Sequence, residues 1–144
     1  MDRYEESVLD YISADKLRFI SPQFDIPYEN EMGGSCPDFV VVDYKDRTIY
    51  IIEVTTSSNM RSLTEKIEQR RTRWIEPLQR HFEKISQDFV SWDYRMTAFV
   101  RQTNKNALQQ KFAYAQDVSI FSLEEISFPY SWNWNGEEAN NPLK

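Results

Sequence analysis

The chain has 144 residues, 40% apolar and 15% aromatic, and carries a formal net charge of −6. That length suits one domain, and the composition excludes a disordered chain. The single cysteine, Cys36, excludes an intrachain disulfide, and the acidic balance argues against a generally basic nucleic-acid coat.

In chain order, Tyr4, Val8, Leu9, Tyr11 and Ile12 recur at helical spacing and predict an opening helix. Phe19 to Pro27 reads as one extended segment bounded by prolines, and Glu29 to Ser35, with Gly33-Gly34, as a loop. Phe39–Tyr44 and Thr48–Val54 are β-branched and aromatic, as strands are. Lys45-Asp46-Arg47 forms a tight connection between them. Both runs are almost continuously apolar at their centres, which implies burial on both faces. A long helix follows, with Met60, Leu63, Ile67, Trp74, Leu78, Phe82 and Ile85 on one stripe. Ser58 or Asn59 suits its N-cap, and Pro77 should kink it. Tyr94–Val100 is a strand, Asn106–Tyr114 a helix and Val118–Phe121 a short strand. Ser122-Leu123-Glu124-Glu125 has the form of a capping box opening a last short helix. Residues 1–127 are therefore expected to form one α/β domain, a mixed sheet flanked by helices. Residues 128–144, with Tyr130, Trp132 and Trp134, form an aromatic and polar tail.

Asp38 opens one predicted strand and Glu53 nearly closes the next. An antiparallel hairpin brings both to one open end, where two carboxylates repel unless a cation neutralises them. Mg²⁺ or Mn²⁺ would do so, since hard ions take carboxylates, main-chain carbonyls, waters and phosphate oxygens. The Val54 carbonyl is a candidate further ligand. Taken singly, each acid would pass for a turn residue or a solvent-facing strand end.

Pro37-Asp38 followed, after a hairpin-sized gap, by Glu53-Val54-Thr55 resembles the PD-(D/E)xK nuclease superfamily, whose fold is restriction-endonuclease-like. The expected order of elements, helix, three strands, helix, strand, is that family's core. The resemblance implies a divalent-metal-dependent phosphodiesterase, with Mg²⁺ or Mn²⁺ as cofactor and nucleic acid as substrate, DNA before RNA. It implies catalytic roles for Asp38 and Glu53, and a metal-directed acid from the first helix, Glu5 or else Glu6. The family's lysine is missing, because Thr55 stands in its place. Several branches carry that lysine on the following helix, where Lys66 is the candidate here. Gln69, Arg70 and Arg73 follow Lys66 at helical steps and, with Arg71, would hold flanking phosphates.

Between Arg61 and Lys84 seven Lys/Arg face four Glu, a local +3 that leaves −9 for the rest of the chain. One basic helix can bind nucleic acid on an otherwise acidic protein, although a solvated helix flank has the same composition. A catalytically inactive nuclease-fold module, binding nucleic acid or a protein, is the alternative that Thr55 raises. A homodimer or a larger nucleic-acid-processing complex suits a chain with no room for a sequence-reading domain. Met1-Asp2-Arg3-Tyr4-Glu5-Glu6 lacks a signal peptide's apolar segment, and no run approaches the ~20 apolar residues of a membrane span. The expected location is cytoplasmic, which a viral or mobile-element protein acting in a host cell would also satisfy.

Overall fold

In the computed structural model, residues 1–13, 18–27 and 34–126 are described. The tail beyond residue 127 and most of the predicted Gly33-Gly34 loop lie outside them. Helix α1 (Arg3–Ile12) starts where Asp2-Arg3-Tyr4-Glu5 forms a capping box. The Asp2 carboxylate accepts the Glu5 N–H at 2.8 Å, and the Glu5 carboxylate accepts the Asp2 N–H at 2.8 Å. These bonds satisfy two amides that the first helical turn cannot. Val8 and Ile12, four residues apart, bury the inner face.

The predicted extended segment is two strands, β1 (Arg18–Pro22) and β2 (Ile26–Pro27). Gln23, at φ +51°, breaks the extension between them. β2 pairs with β3 (Gly34–Ser35) in a separate ribbon. A side chain at Gly34 would come within 2.6 Å of the Ile26 carbonyl oxygen, so this close crossing needs glycine. β4 (Phe39–Asp43) and β5 (Thr48–Val54) form the predicted hairpin, buried along nearly its whole length. Its turn takes Arg47 to φ +51°, and Asp43 accepts the Asp46 N–H at 3.0 Å.

The main sheet has the order β1-β4-β5-β6-β7, with β6 at Asp93–Val100 and β7 at Val118–Ser122. β1, β4 and β5 run antiparallel, whereas β5, β6 and β7 run parallel, so the sheet is mixed. Alternation along β4 and β5 splits the core in two. Val40, Ile49 and Ile51 point to one face with Met96 and Ile120. Phe39, Val41, Tyr50 and Ile52 point to the other with Val8 and Ile12. The first face is covered by α2 (Arg61–Glu68), α3 (Glu76–Ile85) and α4 (Gln102–Lys111), the second by α1 and α5 (Leu123–Ile126). At the far edge Arg18 and Asp43, each 2% exposed, pair at 3.0 Å.

The long helix predicted from Met60 onward is divided. A π turn, Arg71–Ile75, joins α2 to α3, and the Glu76 N–H reaches five residues back to the Arg71 carbonyl. Pro77 explains the position. It has no N–H to offer the residue four back, and its ring would collide with that carbonyl, so the chain widens just before it. The apolar stripe survives from Leu63 to Phe82, but Ile85 is 64% exposed at the helix end. The N-cap of α2 is Met60 rather than Ser58 or Asn59, and Asn59, one residue ahead of it, accepts the Arg61 N–H at 2.9 Å. α4 starts at Gln102 rather than Asn106, because Glu124 accepts the Gln102 N–H at 2.6 Å. Among the described residues, no helix is long and apolar enough to cross a membrane.

Arg70 ties this crossover to the start of β7. Its guanidinium forks onto Asp117 with two 2.8 Å bonds and holds that carboxyl below its ordinary pKa. A depressed pKa stabilises the fold above the unfolded value, and that contribution is lost as pH falls through the folded value. The pair is partly exposed, so solvent screening limits it. Urea unfolding of Arg70→Met at pH 7 should show a loss of about 1 kcal/mol. The gap to wild type should narrow below about pH 4.

Candidate functional site

The hairpin register pairs Phe39 with Ile52, so Asp38 stands opposite Glu53 one step beyond it. The two acids hold each other's strands. The Val54 N–H donates to Asp38 Oδ2 at 2.7 Å, and the Asp38 N–H donates to Glu53 Oε1 at 3.3 Å. This reciprocal clasp closes the sheet end without a regular ladder bond. An extended residue directs its N–H and C=O to the same side, so the Val54 carbonyl is aimed to the side of Asp38.

Glu53 shares the face of Ile49 and Ile51, which α2 covers, and is 6% exposed. Lys66 comes down from α2 and donates to Glu53 Oε2 at 3.1 Å. Thr55 falls on the same strand face, two residues on, and its hydroxyl turns back to accept the Ser57 N–H at 3.2 Å. The cation near Glu53 therefore comes from the helix, not from the strand. Arg73 adds positive potential at Glu53 from the π turn, where its Nε donates to Ser35 Oγ at 3.1 Å. Trp74, fully buried, donates to the same hydroxyl at 2.7 Å. Ser35 was not foreseen; its only sequence signal is the tight Gly33-Gly34 pair just ahead of it.

From the other layer, Glu5 brings a further negative charge to the Asp38 carboxyl. Three acids, Glu5, Asp38 and Glu53, thus follow one another, with one ammonium at the last. Burial, then the Glu53 charge, pushes the Asp38 pKa up to about 7. Burial also raises Glu53, but the Lys66 ammonium opposes it. Both carboxyls of the pair are thus pushed upward, with the Lys66 ammonium offsetting part of the rise at Glu53.

Glu6 is exposed and turned away. Gln69 and Arg71 are exposed beside the crossover. Arg70, expected on phosphates, is committed to Asp117, because the crossover presents it to the start of β7. Cys36, exposed beside the acids, has its pKa raised mainly by burial and further by Asp25, Asp38 and Glu53.

Among the described residues, no group of three or more His, Cys, Asp or Glu side chains is arranged to hold a metal ion. Asp38, Glu53 and the Val54 carbonyl are the oxygens that could hold a hard divalent ion, completed by water and phosphate. Glu5 is engaged by the Asp2 amide and influences Asp38 through its charge, so it acts on a neighbour rather than as an open ligand. No family model matches the chain, and no curated protein matches its sequence.

The acid pair carries excess charge, and its removal should be measurable. A raised pKa favours the fold below the unfolded value, and this is lost as pH rises to about 7. In EDTA at pH 8, Asp38→Asn should raise Tm by a few degrees, and by less at pH 5.

Proposed function

We propose that the protein is a divalent-metal-dependent phosphodiesterase of the PD-(D/E)xK type, acting on nucleic acid and on DNA before RNA. The observation that carries this reading is the meeting of Asp38, Glu53 and Lys66 at one end of a buried hairpin. The mixed sheet with its antiparallel hairpin, helical crossover and parallel strands supports a restriction-endonuclease-like core.

When bound at Asp38, Glu53 and the Val54 carbonyl, Mg²⁺ or Mn²⁺ supplies Lewis-acid polarisation and a more acidic water. The chain's own residues do the rest. Val54 N–H fixes the Asp38 carboxylate, leaving its other oxygen for ligation or for a proton. Lys66, 30% exposed, is the cation that can leave Glu53 and face a phosphate or an attacking water. Thr55 cannot take this part, since it lacks charge and its hydroxyl bonds the main chain. Arg73, held by Ser35, adds positive potential for a phosphate arriving beside Glu53.

The second reading is a binding module on the same fold. The observation favouring it is that both carboxylates are already engaged by the chain, Asp38 by the Val54 N–H and Glu53 by the Asp38 N–H and Lys66. Labelled DNA and RNA incubated with Mg²⁺, Mn²⁺ or EDTA separates the two. The phosphodiesterase cuts with either ion, stops in EDTA, and loses at least a hundredfold in Asp38→Ala and Glu53→Ala. Lys66→Met should lose tenfold or more in rate while a Mn²⁺-induced rise in Tm persists. Equal cutting by wild type and both acid variants sinks this reading, and Mn²⁺-independent binding without cutting establishes the second.

A further inference from the structure

A second recessed surface lies beyond Ser35, on the outer side of the β2–β3 ribbon. It is a cleft of about 250 Å³ between α3 and β2, lined by Phe24, Asp25, Ile26, Pro27, Pro77, Leu78, Arg80, His81 and Lys84. Pro77, Arg80, His81 and Lys84 fall at three- and four-residue steps and so occupy one face of α3. Arg80 and Lys84 put two fixed cations on that face. Opposite them the Phe24 ring meets His81 edge to face, with centroids 5.1 Å apart. The local acid is Asp25, an acceptor that a phosphate cannot use and an exocyclic base amine can.

The cleft wall is linked to the surroundings of Glu53 through the β2–β3 ribbon. Ser35, which holds Arg73, is the register partner of Ile26 in the cleft wall. Arg80 and Lys84, four residues apart, set two cations about 6 Å apart along the helix axis, while Glu76 and Glu83 interrupt the stretch back to Arg73. Flat rings beside a basic track are the two elements by which single strands are bound, the rings taking bases and the cations the backbone. The volume is below the ~300–1,000 Å³ of drug-sized ligand sites, which limits the occupant to about one base with its phosphate. A paired base cannot enter such a recess without leaving its stack.

We propose that this cleft is a non-catalytic subsite for an unpaired nucleotide, so that the substrate of the acid site carries a single-stranded segment. The assignment of a substrate rests on the phosphodiesterase reading; the binding itself does not. Phosphates lie against Arg80 and Lys84, and the base lies against Phe24 and His81.

The test is fluorescence anisotropy with a labelled oligothymidylate and a duplex of the same length, in EDTA, so that nothing is cut. Wild type should bind the single strand at least fivefold tighter. Lys84→Gln should lower the slope of log K against log salt by about 0.7, and Arg80→Gln with Lys84→Gln by about 1.4. Phe24→Leu should weaken binding about tenfold with little change in that slope. Lys84 is exposed, so its variant informs even where the double variant unfolds. Equal affinities for strand and duplex, or variants that bind as wild type does, overturn the proposal. Competition by thymidine monophosphate as effective per molecule as by the oligomer also overturns it, in favour of a free-nucleotide site. Failure here with intact metal-dependent cutting removes the subsite alone; loss of cutting specificity for Asp38 and Glu53 removes the phosphodiesterase reading alone.

Discussion

Like charge held in a confined, half-dry space is the constraint around which this molecule is arranged. Asp38 and Glu53 face each other at the open end of a hairpin whose length is otherwise apolar. A hydrophobic substitute for either acid would spare the fold the cost of burying charge. The chain instead retains both and supplies partial compensation from each direction. The main chain gives two N–H donors, α2 gives an ammonium, and the π turn gives a guanidinium one shell further out. Each of these depends on a separate element, so the site reports on the packing of the whole helical layer against the sheet.

The layers divide the work. The face under α2 and α3 carries Glu53 and its cations, whereas α1, on the other face, sends Glu5 around the sheet end to Asp38. The capping box that starts α1 fixes Glu5 as well as the helix. Electrostatics at the acid pair is thereby coupled to a helix start on the opposite face. At the distant edge, the buried Arg18–Asp43 pair closes β1 onto β4 and keeps the hairpin in register.

Local pattern made much of this legible. The hairpin was visible because β-branched runs and a charged turn are signals carried by consecutive residues. The convergence of Asp38 with Glu53 follows from antiparallel geometry alone. Lys66 was singled out by the resemblance, which allows the lysine missing at Thr55 to stand on the following helix, and the structure places it at Glu53. Other features depend on partners remote in sequence. Arg70 looked equivalent to Arg73 until Asp117, forty-seven residues on, engaged it. The start of α4 is set by Glu124, which no window around Gln102 contains. Ser35 is marked in the sequence only by the glycines ahead of it; its importance comes from Arg73 and Trp74 meeting at one hydroxyl. The break at Gln23 was missed because prolines on both sides suggested one continuous extended stretch.

The π turn has a consequence for how this chain can change length. A π turn holds one residue more than an α-helical turn would, and Arg71–Ile75 sits between two stretches that bury opposite ends of one stripe. Deleting one residue there would restore a regular helix, and the nineteen steps from Leu63 to Phe82 would become eighteen, five whole turns at 3.6 residues each. Leu78 and Phe82 would keep the side they now bury, and what would change is the widened turn that carries Arg73 and Trp74 to Ser35. The crossover can therefore give up one residue without unburying its stripe, at the expense of the contacts that the wider turn makes.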